Sequence, residues 1–451
     1  MEYLNKTKIK TFLPFFLGFF LSFSLIAYKF FFFNLTLDPS FESLDYIRPA
    51  KVFFETQSFE LFLESLRARG PTYPLLISFL FKIFGENTFI SILFFQSILN
   101  GLLVHCFIKI KNIFFKDYFY LSLIIIVFNL NILLASTTIL PDFLLLFFLT
   151  NGIYFYLKFF KKKGKLNLII GNIFFGLAFI TKPVGILLPF FLFLALIIFF
   201  IFQKKVNIYN KILLSLSPLL IIYLIASPVY TYHYKESGVL SFSFHKGGHL
   251  LHGVYPCLSN KWGCGQKNKI AREKAKKIAK DVEDNFFKNK YKILNSDFDK
   301  ENFIDTMQIS QIHEKEAFKL IKEIKTTQII QSAFFSYMKL TFHTSLIGFI
   351  DLHNINYDKY KITSNFNKIT FIWLVGQIAL IISRFFQIYG IFYYLKSNKK
   401  NSYSIIFLLL ICIAFLIPAL SIGNYRYRLP IEIILSLLTI LGVRKFIKNH
   451  L

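Results

Sequence analysis

Residues 41–74 read FESLDYIRPAKVFFETQSFELFLESLRARGPTYP. The stretch follows directly on one of the most apolar segments of the chain. Yet it gathers Glu42, Asp45, Glu55, Glu60 and Glu64 with Arg48, Arg67 and Arg69. Charges of both signs cluster where a long apolar run has just ended. The run therefore stops at a water-facing boundary, and the loop beyond it concentrates groups that bind anions and take up protons.

The rest of the chain agrees with a membrane boundary there. Its 451 residues are 55% hydrophobic and include 60 Phe, with a mean hydropathy of +0.53. Apolar runs of about 18 residues or more recur, and each is long enough to cross a bilayer core. Lipid offers the backbone no partners, so spans of this kind are helical. The expected fold is an all-α polytopic membrane protein with about ten transmembrane helices, starting near residues 11, 89, 118, 139, 166, 184, 212, 368, 403 and 429. The first run is long and lacks a small-residue cleavage site, so it reads as a retained anchor rather than a signal peptide.

The formal net charge is +27. Its lysines sit in short clusters between apolar runs, a pattern that sets topology and attracts lipid headgroups rather than nucleic acid. KIKNIFFK, KFFKKKGK, QKKVNIYNK, LKSNKKN and the terminal VRKFIKNH all fall on one side, with the N-terminal Lys6, Lys8 and Lys10. That side is expected to be cytoplasmic and to hold both termini. Of 25 Asp and Glu, only Glu2 and Asp117 fall there. The expected setting is a bacterial inner membrane, with the charged loops facing the periplasm.

Three parts follow: an N-terminal transmembrane module over 1–230 carrying an external loop at 34–88, an external segment over 231–367, and C-terminal transmembrane helices over 368–451. Within the first loop, YPLLISFLFKIFG is apolar but too short to span, and is expected to lie against the bundle. The external segment, between spans seven and eight, is expected to be α(+β). GVLSFSFHKGGHLLHG reads as strand or loop, AREKAKKIAKDVEDNFF as helix. EKEAFKLIKEIKTTQIIQSAFFSYMKLTFH reads as helix returning along the membrane surface.

Arginine is the informative residue. Arg48, Arg67, Arg69, Arg426 and Arg428 lie on the external side, against the positive-inside bias. A planar guanidinium binds phosphate through two parallel hydrogen bonds, which lysine cannot do. An external phosphate-bearing ligand explains the placement; pairing with neighbouring carboxylates or headgroups is the other reading.

The motifs have a recognisable order. The first loop reads E-S-x-x-Y-x-x-x-A from Glu42 to Ala50, then R-A-R-G-P-T-Y-P, then a short apolar run ending in FGEN. LPD (Leu140 to Asp142), TKPVG (Thr181 to Gly185) and GNYRYRLP before the last span follow. This order resembles the GT-C glycosyltransferases, in the branch of the dolichyl-phosphate-mannose:protein mannosyltransferases and the bacterial aminoarabinose transferases. One departure is that Glu42 stands where that branch usually has Asp; Asp45 and Asp38 lie close by.

The resemblance implies an enzyme that moves a sugar from a polyprenyl-phosphate carrier to a lipid, glycan or protein acceptor of the envelope. Transfer would occur on the external face and invert the anomeric centre. It implies catalytic roles for Glu42, Asp45 and Asp142, since an acceptor hydroxyl needs a base. It implies phosphate-binding roles for Lys182, Arg67, Arg69, Arg426 and Arg428, since the leaving phosphate needs preorganised cations. Tyr46, Tyr73 and Arg48 would line the pocket. The resemblance fixes no particular cofactor. A divalent metal is a further candidate, because some members bind one, with His245 and His249 as weak ligand candidates. Cys257 and Cys264 frame CLSNKWGC and form a disulfide if the segment lies in an oxidising compartment. Arg384 lies inside an apolar segment, where facing lipid is costly, so it faces the bundle or snorkels to the cytoplasmic side. Other readings are a flippase or transporter, or a polymerase, of lipid-linked saccharides, and a non-catalytic assembly scaffold.

Overall fold

The computed structural model describes residues 2–33, 41–66, 69–85, 89–203, 206–243, 246–263, 268–291, 303–342, 366–397, 399–419 and 425–450. Among them the chain forms helices and no strand. Among the described residues, seven helices are long and apolar enough to cross a membrane. They are Lys10–Tyr28 within α1 (Glu2–Phe33), α5 (Phe89–Phe114), α8 (Pro141–Lys162), the run Pro183–Ile201 containing α10 (Leu188–Ile201), α11 (Ile208–Ser237), Leu374–Lys396 within α17 (Phe366–Ser397), and Ser402–Ala419 within α18 (Lys399–Ala419). Each begins close to an expected span.

The other three expected spans take different forms. The run at 118 is split into α6 (Phe119–Val127) and α7 (Leu130–Ser136), bent by 53°. Asn129 makes the break: its side chain caps α7 by accepting from the Ile132 amide at 3.3 Å. The run at 166 is α9 (Lys165–Thr181), only 17 residues long. The run at 429 begins with a 3-10 turn, Tyr425–Ile431, and continues as α19 (Glu432–His450).

The first loop folds as three helices, α2 (Phe41–Thr56), α3 (Phe59–Ser65) and α4 (Thr72–Phe84). The expected short apolar helix is α4; it packs on α2 and on the α5 and α9 helices. Gly70 explains how closely the loop seats. A Cβ there would lie 2.2 Å from the Ile180 carbonyl oxygen and 2.5 Å from that of Thr181. Only glycine lets the loop backbone touch the end of α9.

The segment over 231–367, expected from the sequence to be external and called so below, contains α12 (Lys246–His249), a π-helical turn at Leu250–Val254, α13 (Tyr255–Leu258), α14 (Lys269–Tyr291), α15 (Phe303–Lys322) and α16 (Thr326–Phe342). It has a small core of its own around Leu251, Tyr255, Ala275, Ala317 and Leu320. The helices expected there are present. The β component is not: the stretch read as strand or loop is irregular to residue 243 and then helical from Lys246. Gly247 supplies the reason. Its amide donates to Ser310 Oγ at 3.0 Å, and a Cβ would fall 1.7 Å from the Ser310 carbonyl oxygen. Gly247 serves a helix crossing onto α15 rather than a strand, and no partner strand exists among the described residues.

Candidate active site

The polar groups singled out in the sequence converge on one end of the bundle. In α2, residues 42, 45 and 46 follow the i, i+3, i+4 spacing of one helix face. Asp45 accepts from Arg69 at 2.5 Å. The Arg69 guanidinium also lies over the Tyr46 ring, 5.3 Å from its centroid, a cation–π contact. Burial works against the Arg69 charge, but Tyr46, Asp45 and Glu42 outweigh it and raise the pKa. Glu42 thus faces the same cation as Asp45.

Tyr46 meets Tyr73 edge to face at 5.8 Å, and both are buried. The Tyr73 hydroxyl donates to Gln96 Oε1 at 2.7 Å. Gln96 Nε2 in turn donates to the Thr138 carbonyl at 2.8 Å and the Ser136 carbonyl at 3.1 Å. Gln96 therefore joins the first loop, α5 and the turn before α8. The Tyr73 hydroxyl is pushed well above the ordinary tyrosine range by burial, then by Tyr46 and Asp142. Asp142 is thereby part of the same electrostatic neighbourhood.

Asp142 sits in the first turn of α8, where the helix dipole favours a negative charge. Lys182 follows α9 in extended backbone and donates to Asp142 Oδ1 at 2.7 Å. Its ammonium stands over the Tyr427 ring, 5.2 Å from the centroid. The tail motif and TKPVG thus meet across this lysine.

Arg428 is buried. It donates through Nε to Glu432 Oε1 at 2.6 Å and through Nη1 to the Leu340 and Thr341 carbonyls at 3.0 and 3.2 Å. Glu432 also accepts from Asn129 at 3.1 Å and from Asn131. Arg428 is therefore committed to fastening the tail onto α7 and α16. Arg384 joins it from α17: Nε and Nη2 donate to the Thr341 carbonyl at 3.3 and 3.1 Å, and Nη1 to Gln387 Oε1 at 2.6 Å. Of the two positions expected for Arg384, the structure takes the one inside the bundle.

Other expected residues fall elsewhere. Arg48 is exposed on α2. Arg67, His245 and Cys264 lie outside the described residues, as does the Arg426 side chain. Cys257 is disulfide-bonded, while Cys106 and Cys412 are free buried thiols. His249 lies in the external segment, and among the described residues no three His, Cys, Asp or Glu side chains group as a metal site. The sequence reading missed Gln96, Asn129, Asn131 and Glu432. The available signal was polarity inside apolar runs, which is costly in lipid and so marks a role.

The fold and this convergence define a polytopic helical membrane protein whose acids and cations meet at one membrane face. Residues 68–232 match the family model described as dolichyl-phosphate-mannose-protein mannosyltransferase. Among solved structures, the chain is similar to the Archaeoglobus fulgidus oligosaccharyltransferase AglB in complex with an inhibitory peptide and a dolichol-phosphate. That match has 13% identity and a TM-score of 0.52, and covers 98% of this chain and 51% of AglB. The chain thus spans about half the length of AglB. An alignment to ArnT from Cupriavidus metallidurans bound to undecaprenyl phosphate covers 94% of this chain and 77% of ArnT, with 13% identity and a TM-score of 0.35. No curated protein sequence matches the chain. The GT-C resemblance drawn from the motif order is borne out: the chain has the fold of this class of membrane glycosyltransferases.

Proposed function

We propose that the protein is a glycosyltransferase that takes a sugar from a polyprenyl-phosphate carrier and passes it to an envelope lipid, glycan or protein at the site face. The observation that carries this reading is the convergence of two acid–cation pairs from separate segments. Asp45 with Arg69 and Asp142 with Lys182 flank the buried Tyr46–Tyr73 pair. Transfer from a lipid phosphate needs a carboxylate for the acceptor proton and fixed cations for the leaving phosphate. Both are supplied here.

Glu42 is the proposed base, with Asp45 and Arg69 setting its surroundings. Asp142 orients Lys182, which meets the phosphate with Arg69. Tyr46 and Tyr73 wall the pocket, and Arg48 stands at its exposed rim. Arg428 is given a positioning role, because its guanidinium is already engaged by Glu432 and two carbonyls. Arg67 and Arg426 complete the proposed cation set. A single displacement would invert the anomeric centre. The site face is read as periplasmic, with both termini on the cytoplasmic side of a bacterial inner membrane. A divalent metal beside the loop acid remains part of the proposal for a metal titration to decide.

The test is a reconstituted transfer assay. Protein in liposomes meets a panel of radiolabelled polyprenyl-phosphate sugars and extracted envelope glycolipids. The expected result is label transfer by the wild type, with Glu42→Gln losing turnover while still binding donor, and Lys182→Ala losing donor binding. Donor crossing the bilayer with no label transferred would replace this reading with that of a flippase. Full activity in Glu42→Gln, Asp45→Asn and Asp142→Asn alike would remove the acids from the chemistry.

A further inference from the structure

Helix α16 is built inside out. Ser332, Ser336 and Leu340 face the protein with 0%, 2% and 1% of their surface exposed. The opposite i, i+4, i+8 stripe is Ile330, Phe334 and Met338, exposed by 64%, 56% and 41%. A water-facing helix shows the reverse pattern, apolar inside and polar outside. Hiding serines while presenting three large apolar side chains to water is unfavourable, because apolar surface gains by leaving water.

The polar side has a use. Ser332 Oγ donates to the Cys257 carbonyl at 2.8 Å, and Gln328 Nε2 to the Ser259 carbonyl at 2.7 Å. Gly263, at φ +65°, packs so closely that a Cβ would lie 2.5 Å from Ser336 Oγ. The small side chains of α16 thus admit the 257–263 turn. Trp262 in that turn is itself exposed and packs against Phe335, the tilted rings 4.8 Å apart.

The C-terminal end of α16 also fixes its depth. Its Thr341 carbonyl takes hydrogen bonds from Arg384 of α17 and Arg428 of the tail, and its Leu340 carbonyl one more from Arg428. Two guanidiniums cap a helix C-terminus, where the dipole favours cations. Arg384 stands twelve residues before Lys396 at the far end of the same helix, roughly 18 Å at 1.5 Å per residue. Glu432 stands the same distance before Arg444 in α19. With a hydrocarbon core about 30 Å thick, both lie past its midpoint toward the site face. The carbonyls that Arg384 and Arg428 hold are therefore below the headgroups, and they carry the C-terminal end of α16 with them.

We propose that α16 lies within the leaflet on the site side, with Ile330, Phe334 and Met338 among the acyl chains and Trp262 at the headgroup boundary. The occupant of this face is membrane lipid. The helix seats the external segment at the membrane plane, and its arginine-capped end abuts the tail that contacts Lys182. This placement is independent of the reaction performed at the site.

The experiment is site-directed spin labelling of the full chain in phosphatidylethanolamine/phosphatidylglycerol vesicles. Cys106 and Cys412 are replaced by Ala and single cysteines are placed at 327, 330, 331, 334 and 338. All of these positions lie on one face, so the expected result is a preference graded with depth. Collision with oxygen exceeds collision with an aqueous nickel chelate severalfold at 330, 334 and 338, and the preference reverses at 327, at the shallow end of the same face. Nickel access along the whole stripe would overturn the proposal, and so would shielding from both reagents, which means protein covers the face. A second readout uses a photoactivatable side chain. Phe334→benzoylphenylalanine crosslinks to acyl chains if the helix is embedded, and to protein or to nothing if it is not.

Discussion

Helix α19 meets residues 117–131 at both of its ends, through Asn129 and Asn131 at one and Asp117 at the other, and each end carries an ion pair of opposite character. At the site end, Glu432 is buried and is shared by Arg428, Asn129 and Asn131. At the far end, Arg444 holds Asp117 through both carboxylate oxygens at 2.9 Å, with Lys448 at 3.4 Å, and the side chains are 22% and 38% exposed. The chemistry is alike; the solvent is not. In water an ion pair is exchangeable and contributes little. Below the headgroups it cannot be half made. The difference shows why polar residues at the site end come as a closed network, whereas those at the basic end can be scattered.

The largest effect is expected from breaking the buried pair. Glu432→Ala leaves Arg428 and Arg384 together without their carboxylate. Removing one partner of a buried pair costs about 3–5 kcal/mol. We expect a steep drop in thermal stability in detergent and loss of folded protein. A double variant, Arg428→Met with Glu432→Leu, removes both charges and is expected to recover much of that loss. If the single variant melts like wild type, the network is not structural.

Next is Gly70→Ala. The new methyl would meet the Ile180 carbonyl, backbone that cannot swing away. Overpacking of this kind costs about 1–3 kcal/mol. Because Gly70 adjoins Arg69 and packs beside Lys182, activity is expected to fall further than stability does. A variant that keeps full transfer activity would show that the first loop tolerates displacement from α9.

These two positions also mark what can be read from sequence. Asp45, Tyr46, Tyr73, Asp142 and Lys182 were all legible, because each stands at the end of an apolar run or in a motif whose sidedness follows from counting spans. Their pairing was not: Asp142 with Lys182 and Asp45 with Arg69 depend on how helices cross. Glu432 was missed because it follows the GNYRYRLP motif as the first residue of an apparently ordinary span. Its partners Asn129 and Asn131 lie some 300 positions away, where no local pattern points. The stretch 238–253, read as strand or loop, is irregular to residue 243 but helical from Lys246, because Gly247 is a contact point for α15, which no local pattern announces.

A smaller, pH-dependent effect is expected in the external segment. The rings of His252 and His313 stand 6.2 Å apart. Burial lowers both pKa values; the His313 charge lowers that of His252 further, as does Lys276, and Glu283 opposes it. His313 is also raised by the Ala279 carbonyl and Glu283, but burial prevails. The neutral forms are therefore favoured in the folded segment. The stability they contribute is present above the ordinary histidine value of 6.5 and is lost as pH falls from there through the lowered folded values. Amide exchange over residues 246–342 is expected to speed up on acidification from pH 7.5 to 5, and less so in His313→Gln. An equal acceleration in that variant would exclude the histidine pair as its source.

The smallest effect is expected where the comparison began, at Asp117. Asp117→Asn removes the carboxylate shared by Arg444 and Lys448. Exposed pairs contribute about 0–1 kcal/mol, and salt screens them over a Debye length of about 8 Å at physiological ionic strength. Burial would raise the Asp117 pKa, but the hydrogen bond and charge of Arg444, with Lys448, lower it overall. Its contribution is then present at neutral pH and disappears only as pH falls from the ordinary carboxylate value through the lowered one. The melting temperature of Asp117→Asn should lie close to wild type at pH 7, and the small gap should close in high salt and in acid. A loss as large as that of Glu432→Ala, insensitive to salt, would mean that Asp117 is shielded from water as Glu432 is. The solvent contrast between the two ends of α19 would then fail.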